Sequence, residues 1–123
     1  MRVVLGISLT VAAATLGLAS AIHFGVPLII EDPFAGAAIP EAILAFILAV
    51  GAASVWTRHG AAWGVALGTT LFALAGTGFG FSLTVATSRS GDIAYHVALL
   101  AVLVTAALLL LTPVARRALR PAA

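Results

Sequence analysis

Residues 97–111 read VALLAVLVTAALLLL, with Thr105 the single polar side chain among leucines, valines and alanines. Taken with the residues that lead into it from Asp92, the run predicts a helix over residues 92–112, which Pro113 stops. At ~1.5 Å rise per residue, a helix of about 20 residues crosses the ~30 Å hydrocarbon core of a bilayer. This stretch therefore reads as a membrane span, and the rest of the chain repeats its character.

Of the 123 residues, 63% are hydrophobic and only 8% are charged. The mean hydropathy is +1.21. A soluble domain carries roughly a quarter charged residues, so this is an integral membrane protein. Its length suits a single transmembrane domain spanning residues 1–123. Cysteine is absent, which excludes a disulfide, a thiolate metal site and a cysteine nucleophile. Lysine is absent too, and all six basic residues are arginines. The pI of about 10.6 comes from that small arginine surplus. There is no basic stripe with interleaved aromatics, so no nucleic-acid partner is expected.

Upstream of residue 92 the pattern predicts three more spans. The first covers residues 3–25. Arg2, an apolar run and Ala19-Ser20-Ala21 also fit a cleaved signal peptide, but the run continues through Ile22, His23 and Phe24, and a retained span is expected. Pro27, Pro33 and Gly36 punctuate an acidic loop holding Glu31 and Asp32. The second span covers residues 40–57. Pro40 is placed as its first helical residue and Glu41 in its first turn, where the helix dipole favours an anion. Thr57-Arg58-His59-Gly60 forms a tight turn that joins antiparallel neighbours. The third span covers residues 62–87. The expected architecture is all-α: a polytopic, antiparallel four-helix transmembrane bundle.

Lipid gives no hydrophobic drive for helices to associate, so small residues that let backbones approach should mark the contacts. Ala13, Gly17 and Ala21 stripe the first span, Ala45 and Ala49 the second, and the pairs Gly64/Gly68 and Gly76/Gly80 the third. The third span is expected to pack centrally, and the fourth to face lipid more.

With four spans both termini share a side. Arg2, Arg58, Arg116, Arg117 and Arg120 fall on that face and Arg89 alone on the other. The positive-inside rule then places both termini in the cytoplasm, in the cell (inner) membrane of a bacterium. Glu31, Asp32, Glu41 and Asp92 all fall on the opposite, outer face, with His23, Tyr95 and His96. No ionisable side chain is expected at mid-depth, which argues against an ion-coupled transporter.

Asp92 and His96 are four apart and share one helix face, flanked by Tyr95. His23, Glu41, Asp92, Tyr95 and His96 are the candidate ligand-binding residues. His23, Glu41, Asp92 and His96 offer two imidazoles and two carboxylates from three spans, a set that suits zinc, iron or copper(II). A bis-histidine haem needs axial ligands near mid-span and is not expected here. The spacing is no established metal signature, and the same residues have structural uses. Asp92 and Glu41 suit first-turn positions, Arg89 a pairing with an outer carboxylate, and Tyr95, Trp56 and Trp63 the aromatic belts. There is no phosphate-binding loop and no G-x-S-x-G, so no catalytic residue is assigned. The reading is a membrane protein with a polar ligand site at the outer end of the bundle. The alternatives are an accessory or scaffold subunit, working through a homo-oligomer or a partner membrane subunit, and a small-molecule transporter.

Overall fold

The computed structural model describes residues 1–27, 33–87 and 90–120. The expected elements at Glu31, Asp32 and Arg89 lie outside the described residues. The chain forms α1 (Arg2–His23), α2 (Ala35–Trp56), α3 (Ala62–Ala86), α4 (Ser90–Leu110) and a short α5 (Pro113–Ala118). The first four are long and apolar enough to cross a membrane. They make the expected all-α, antiparallel four-helix bundle of a multi-pass membrane protein. Each helix packs on the next in sequence, most extensively α1 on α2, and α4 closes the ring against α1.

Each helix end has a local cause. Gly25 carries φ 86°, the left-handed region open to glycine, and the Val26 amide turns back to the Ala21 carbonyl. Arg58 takes φ 54° after α2, and the His59 amide donates to the Ser54 carbonyl in the same way. Thr112 caps α5 by accepting from the Ala115 amide, and Pro113 occupies the first helical position. Pro113 therefore begins the last helix, whereas the fourth span has already ended at Leu110.

Two expectations need correction. α2 starts at Ala35, five residues before Pro40, so Pro40 lies inside the helix. Lacking an N–H, it cannot bond the Gly36 carbonyl. Glu41 is then no first-turn residue. It sits about 9 Å along the helix at 1.5 Å per residue. In addition, α3 is the least buried of the four spans and α2 the most buried, so α4 does not face lipid more than α3. The reason is that α3 turns Phe72 and Phe79 outward along with Gly64 and Gly68.

The core is a seam built on steps of three and four residues, with the buried Thr70 standing between Ala66 and Ala73. α1 contributes Leu5, Leu9, Ala12 and Leu16; α2 contributes Leu44, Leu48, Ala52 and Val55; α3 contributes Ala62, Ala66 and Ala73; α4 contributes Leu99, Leu103, Ala106 and Leu110. Close approach occurs at particular glycines. A Cβ on Gly6 would lie 2.6 Å from the Trp56 ring, whose Nε1 donates to Thr10 Oγ1 at 3.0 Å. One on Gly51 would collide with Thr69 Oγ1, and one on Gly76 would stand 2.8 Å from Leu44 Cδ2. A Cβ on Gly17 would stand 4.0 Å from Ala45 Cβ, and Ala13 and Ala45 pack against the core. Ala21 is half-buried and Ala49 is exposed. Among the described residues, positions 64 and 68 have nothing within 4 Å of an added Cβ, so this glycine pair is not at a close helix–helix approach within the bundle.

The two ends differ chemically. Arg2, Arg58 and the α5 arginines share one end with both tryptophans. There the Trp63 Nε1 donates to the Leu110 carbonyl at 2.8 Å, and the Arg116 guanidinium lies 4.8 Å from the Trp63 ring centre. His23, Glu41, Asp92, Tyr95 and His96 are at the other end.

Candidate functional site

At that second end the apolar seam turns polar without leaving its register. His23 follows Leu16 by one heptad, Thr77 follows Thr70, Glu41 precedes Leu48 and His96 precedes Leu103. All four are core positions, with exposures of 7%, 3%, 6% and 9% for His23, Thr77, Glu41 and His96. Each helix thus places one polar side chain in the same layer, inside the bundle and not on its rim.

The His23 Nδ1–H donates to Glu41 Oε2 at 2.7 Å, both side chains buried. Below them the Ser20 hydroxyl donates to the Ala38 carbonyl at 2.7 Å and ties α1 to α2 again. His96 Nδ1 lies 2.7 Å from the Asp92 backbone carbonyl. A carbonyl only accepts, so Nδ1 carries a hydrogen and donates it. The His96 Nε2 sits 3.1 Å from where a Cβ on Gly80 would be, so the missing side chain at Gly80 admits the ring. Tyr95 braces His96 edge-on, ring centres 5.2 Å apart, and Phe34 does the same for His23 at 6.1 Å.

Among the described residues, two buried polar atoms in this layer have no hydrogen-bond partner: Glu41 Oε1 and Thr77 Oγ1. Thr77 stands out among the threonines of the bundle. Thr10, Thr15, Thr69, Thr70, Thr84 and Thr105 each donate to the carbonyl four residues back, the usual recourse of a helical threonine in an apolar setting. Both orphaned atoms belong to residues lining a cavity of about 190 Å³ between the helices. His23, Asp92 and His96 line it as well, and Leu16, Phe34, Leu44, Phe79, Leu83 and Leu99 supply apolar wall. The Tyr95 hydroxyl is a third buried polar atom without a partner, but Tyr95 is not part of the lining.

The sequence-derived candidates therefore meet in part. His23, Glu41, Asp92 and His96 converge on one cavity, and Tyr95 stands behind it. Among the described residues, however, no three His, Asp or Glu side chains come together as a metal-holding group. His23 and Glu41 engage each other, and His96 turns one nitrogen to its own helix. Two features were not anticipated: Thr77 as a site residue, and the burial of Glu41. The signal for Thr77 is its heptad register with Ala66, Thr70 and Ala73.

The fold and the site together define a small multi-pass membrane protein with a largely apolar cavity, bordered by a few polar side chains, at one end of its helix bundle. No protein-family model, curated protein or solved structure matches the chain.

Proposed function

We propose that the protein is a membrane-embedded binding protein that holds a small, largely apolar molecule with a polar head in the cavity between His23, Glu41, Thr77 and His96. The observation that carries this reading is a pair of buried atoms, Glu41 Oε1 and Thr77 Oγ1, that have no hydrogen-bond partner among the described residues and belong to two residues lining one largely apolar cavity. A buried polar atom without a partner is destabilising by about 1–3 kcal/mol, so two of them on one cavity point to a ligand that completes them. A role limited to tying helix ends together accounts for the His23–Glu41 bond but leaves both atoms unexplained. An organic ligand suits the donor set better than a metal ion, because among the described residues no three candidate ligands gather at one point. Binding is favoured over passage by the packing beneath: Leu9, Leu48, Thr70 and Leu103 are fully buried and fill the bundle below the cavity. In this reading the arginine-rich end lies in the cytoplasm of a bacterial cell and the cavity opens toward the outer leaflet.

The test is methyl NMR of the leucines during titration with a ring-sized probe such as benzyl alcohol. Saturable shifts concentrated at Leu16, Leu44, Leu83 and Leu99 are expected. Shifts spread evenly over lipid-facing methyls would refute the reading.

A second reading has its own observation. Gly64 and Gly68 form a small-residue face with open space beside it among the described residues. Such a face suits the span of a second copy or of a partner subunit. Crosslinking in native membranes through a cysteine at Gly68 tests it, and a strictly monomeric protein excludes it.

A further inference from the structure

The cavity has a floor and a rim, and they come from different helices. On the floor, Leu16 and His23 of α1 and His96 and Leu99 of α4 are all buried. Among the described residues, every exposed residue lining the cavity belongs to α2, to α3 or to their end caps. Gly36 and Pro40 stand on one side of the rim, Phe79 and Leu83 on the other. Phe79 is 68% exposed and Leu83 54%, against 2% for Leu16 and 5% for Leu99. A residue that both lines a cavity and faces outward marks where the cavity opens, so the opening lies between α2 and α3. Those four rim residues fall inside the two membrane-spanning stretches, and the gap therefore faces hydrocarbon. Resting on the reading of the cavity as a binding site, we propose that its occupant is an acyl chain of a membrane lipid, which enters sideways between α2 and α3.

The gap has a cause in the sequence. α2 and α3 meet closely at Gly51 and Thr69, and again at Leu44 and Gly76. Past that second meeting the approach is lost. The atoms nearest an added Cβ on Gly80 belong to His96 of α4, and those nearest one on Gly36 belong to Phe34 beside it. Pro40 lies where the two helices part. It leaves the Gly36 carbonyl without its helical donor, the usual site of a bend in a helix.

Length and width choose a chain. From Gly36 to Leu44 the slot runs eight residues along α2. That is about 12 Å at 1.5 Å per residue, close to the ~15 Å of hydrocarbon in one leaflet. Its volume is about 190 Å³, whereas an apolar cavity of about 150 Å³ accommodates benzene. Spread along that length the volume makes a narrow slot, the shape of one extended chain. Leu16, Leu44 and Leu99 close its deep end, and Thr87 and Asp92 border it at the level of the lipid headgroup. A chain gains no hydrophobic energy by leaving the bilayer for such a slot. What holds it there is contact with a lining that otherwise lacks partner atoms on one side.

The experiment is methyl NMR of the full chain, deuterated except at leucine methyls, in nanodiscs of protonated dimyristoylphosphatidylcholine. Nuclear Overhauser contacts from lipid-chain methylenes are expected at the buried Leu16 and Leu99 as well as at the exposed Leu83. None is expected at Leu9, Leu48 and Leu103, which are fully buried below the slot. Ala37→Phe, at a half-buried position of the lining, fills the slot from α2. It should abolish the contacts at Leu16 and Leu99 and leave those at Leu83. Saturating benzyl alcohol should displace the chain from Leu16 and Leu99 in the same way, which decides the matter should Ala37→Phe fail to fold. Chain contacts confined to exposed leucines overturn the lipid assignment. So do contacts as strong at Leu9 and Leu48 as at Leu16, or contacts that Ala37→Phe and benzyl alcohol both leave unchanged. If the lipid assignment falls while benzyl alcohol still gives saturable shifts at Leu16, Leu44 and Leu99, the binding site stands. If those shifts are absent too, the binding site falls with it.

Discussion

His23 Nδ1 and Glu41 Oε2 lie 2.7 Å apart inside the bundle, joining the last residue of α1 to the second turn of α2. Removing one partner of a buried pair strands the other, which typically destabilises a protein by about 3–5 kcal/mol. His23→Ala should therefore lower the unfolding free energy in mixed micelles by that order. The double change His23→Leu with Glu41→Met should recover most of the loss, since an apolar replacement of both partners leaves nothing stranded. A double-mutant cycle reads the coupling directly. Additive single effects would show that the two side chains do not act as a pair.

The glycines should separate into two groups. Gly51→Ala forces a collision with the stiff, β-branched Thr69, and Gly6→Ala with the rigid Trp56 ring. Overpacking of this kind costs about 1–3 kcal/mol. Gly64→Ala and Gly68→Ala meet open space within the chain. There, replacing glycine by a better helix former should be neutral or stabilising by up to about 1 kcal/mol. Thermal unfolding of the four variants in one detergent checks the order. A large loss at Gly68 would mean that this face is occupied, in favour of the oligomer or partner-subunit reading.

At the arginine-rich end, Trp63 links α3 to the end of α4 and carries Arg116 over its ring. Trp63→Phe keeps a ring but removes the indole N–H. The expected loss is about 1–2 kcal/mol, from one hydrogen bond to a helix-terminal carbonyl and a weakened cation–π contact. Ligand binding at the far cavity should be unchanged. A change there of the same size as at Trp63 would show that the two ends are coupled.

How far the sequence could be read depended on what kind of physics set each feature. The spans were legible because hydrocarbon tolerates so little else, and Val97–Leu111 alone decides the class. The convergence of His23, Glu41, Asp92 and His96 was legible from topology, since an antiparallel bundle must bring those helix ends together. The depth of Glu41 was not, because Pro40 is most at home in a first turn and here lies inside a helix that began at Ala35. Thr77 was hidden among a crowd of hydroxyls on α3. Only its register with Thr70 and Ala73 distinguishes it, and nothing local shows that its hydroxyl lacks the usual carbonyl. The outward turn of Gly64 and Gly68 was equally hidden, because small residues four apart mark a contact face without saying whether the contact lies inside the chain.

The most direct test of the cavity uses the absence of native cysteine. Thr77→Cys and Thr70→Cys place single thiols one heptad apart on the same helix face, the first lining the cavity and the second in the filled core below it. Each is exposed to methyl methanethiosulfonate in lipid nanodiscs and the rate of labelling followed by mass. The cavity account predicts rapid labelling at position 77, slowed by benzyl alcohol, and little at position 70. Equal rates at the two positions, or labelling at 77 that no probe slows, would contradict it.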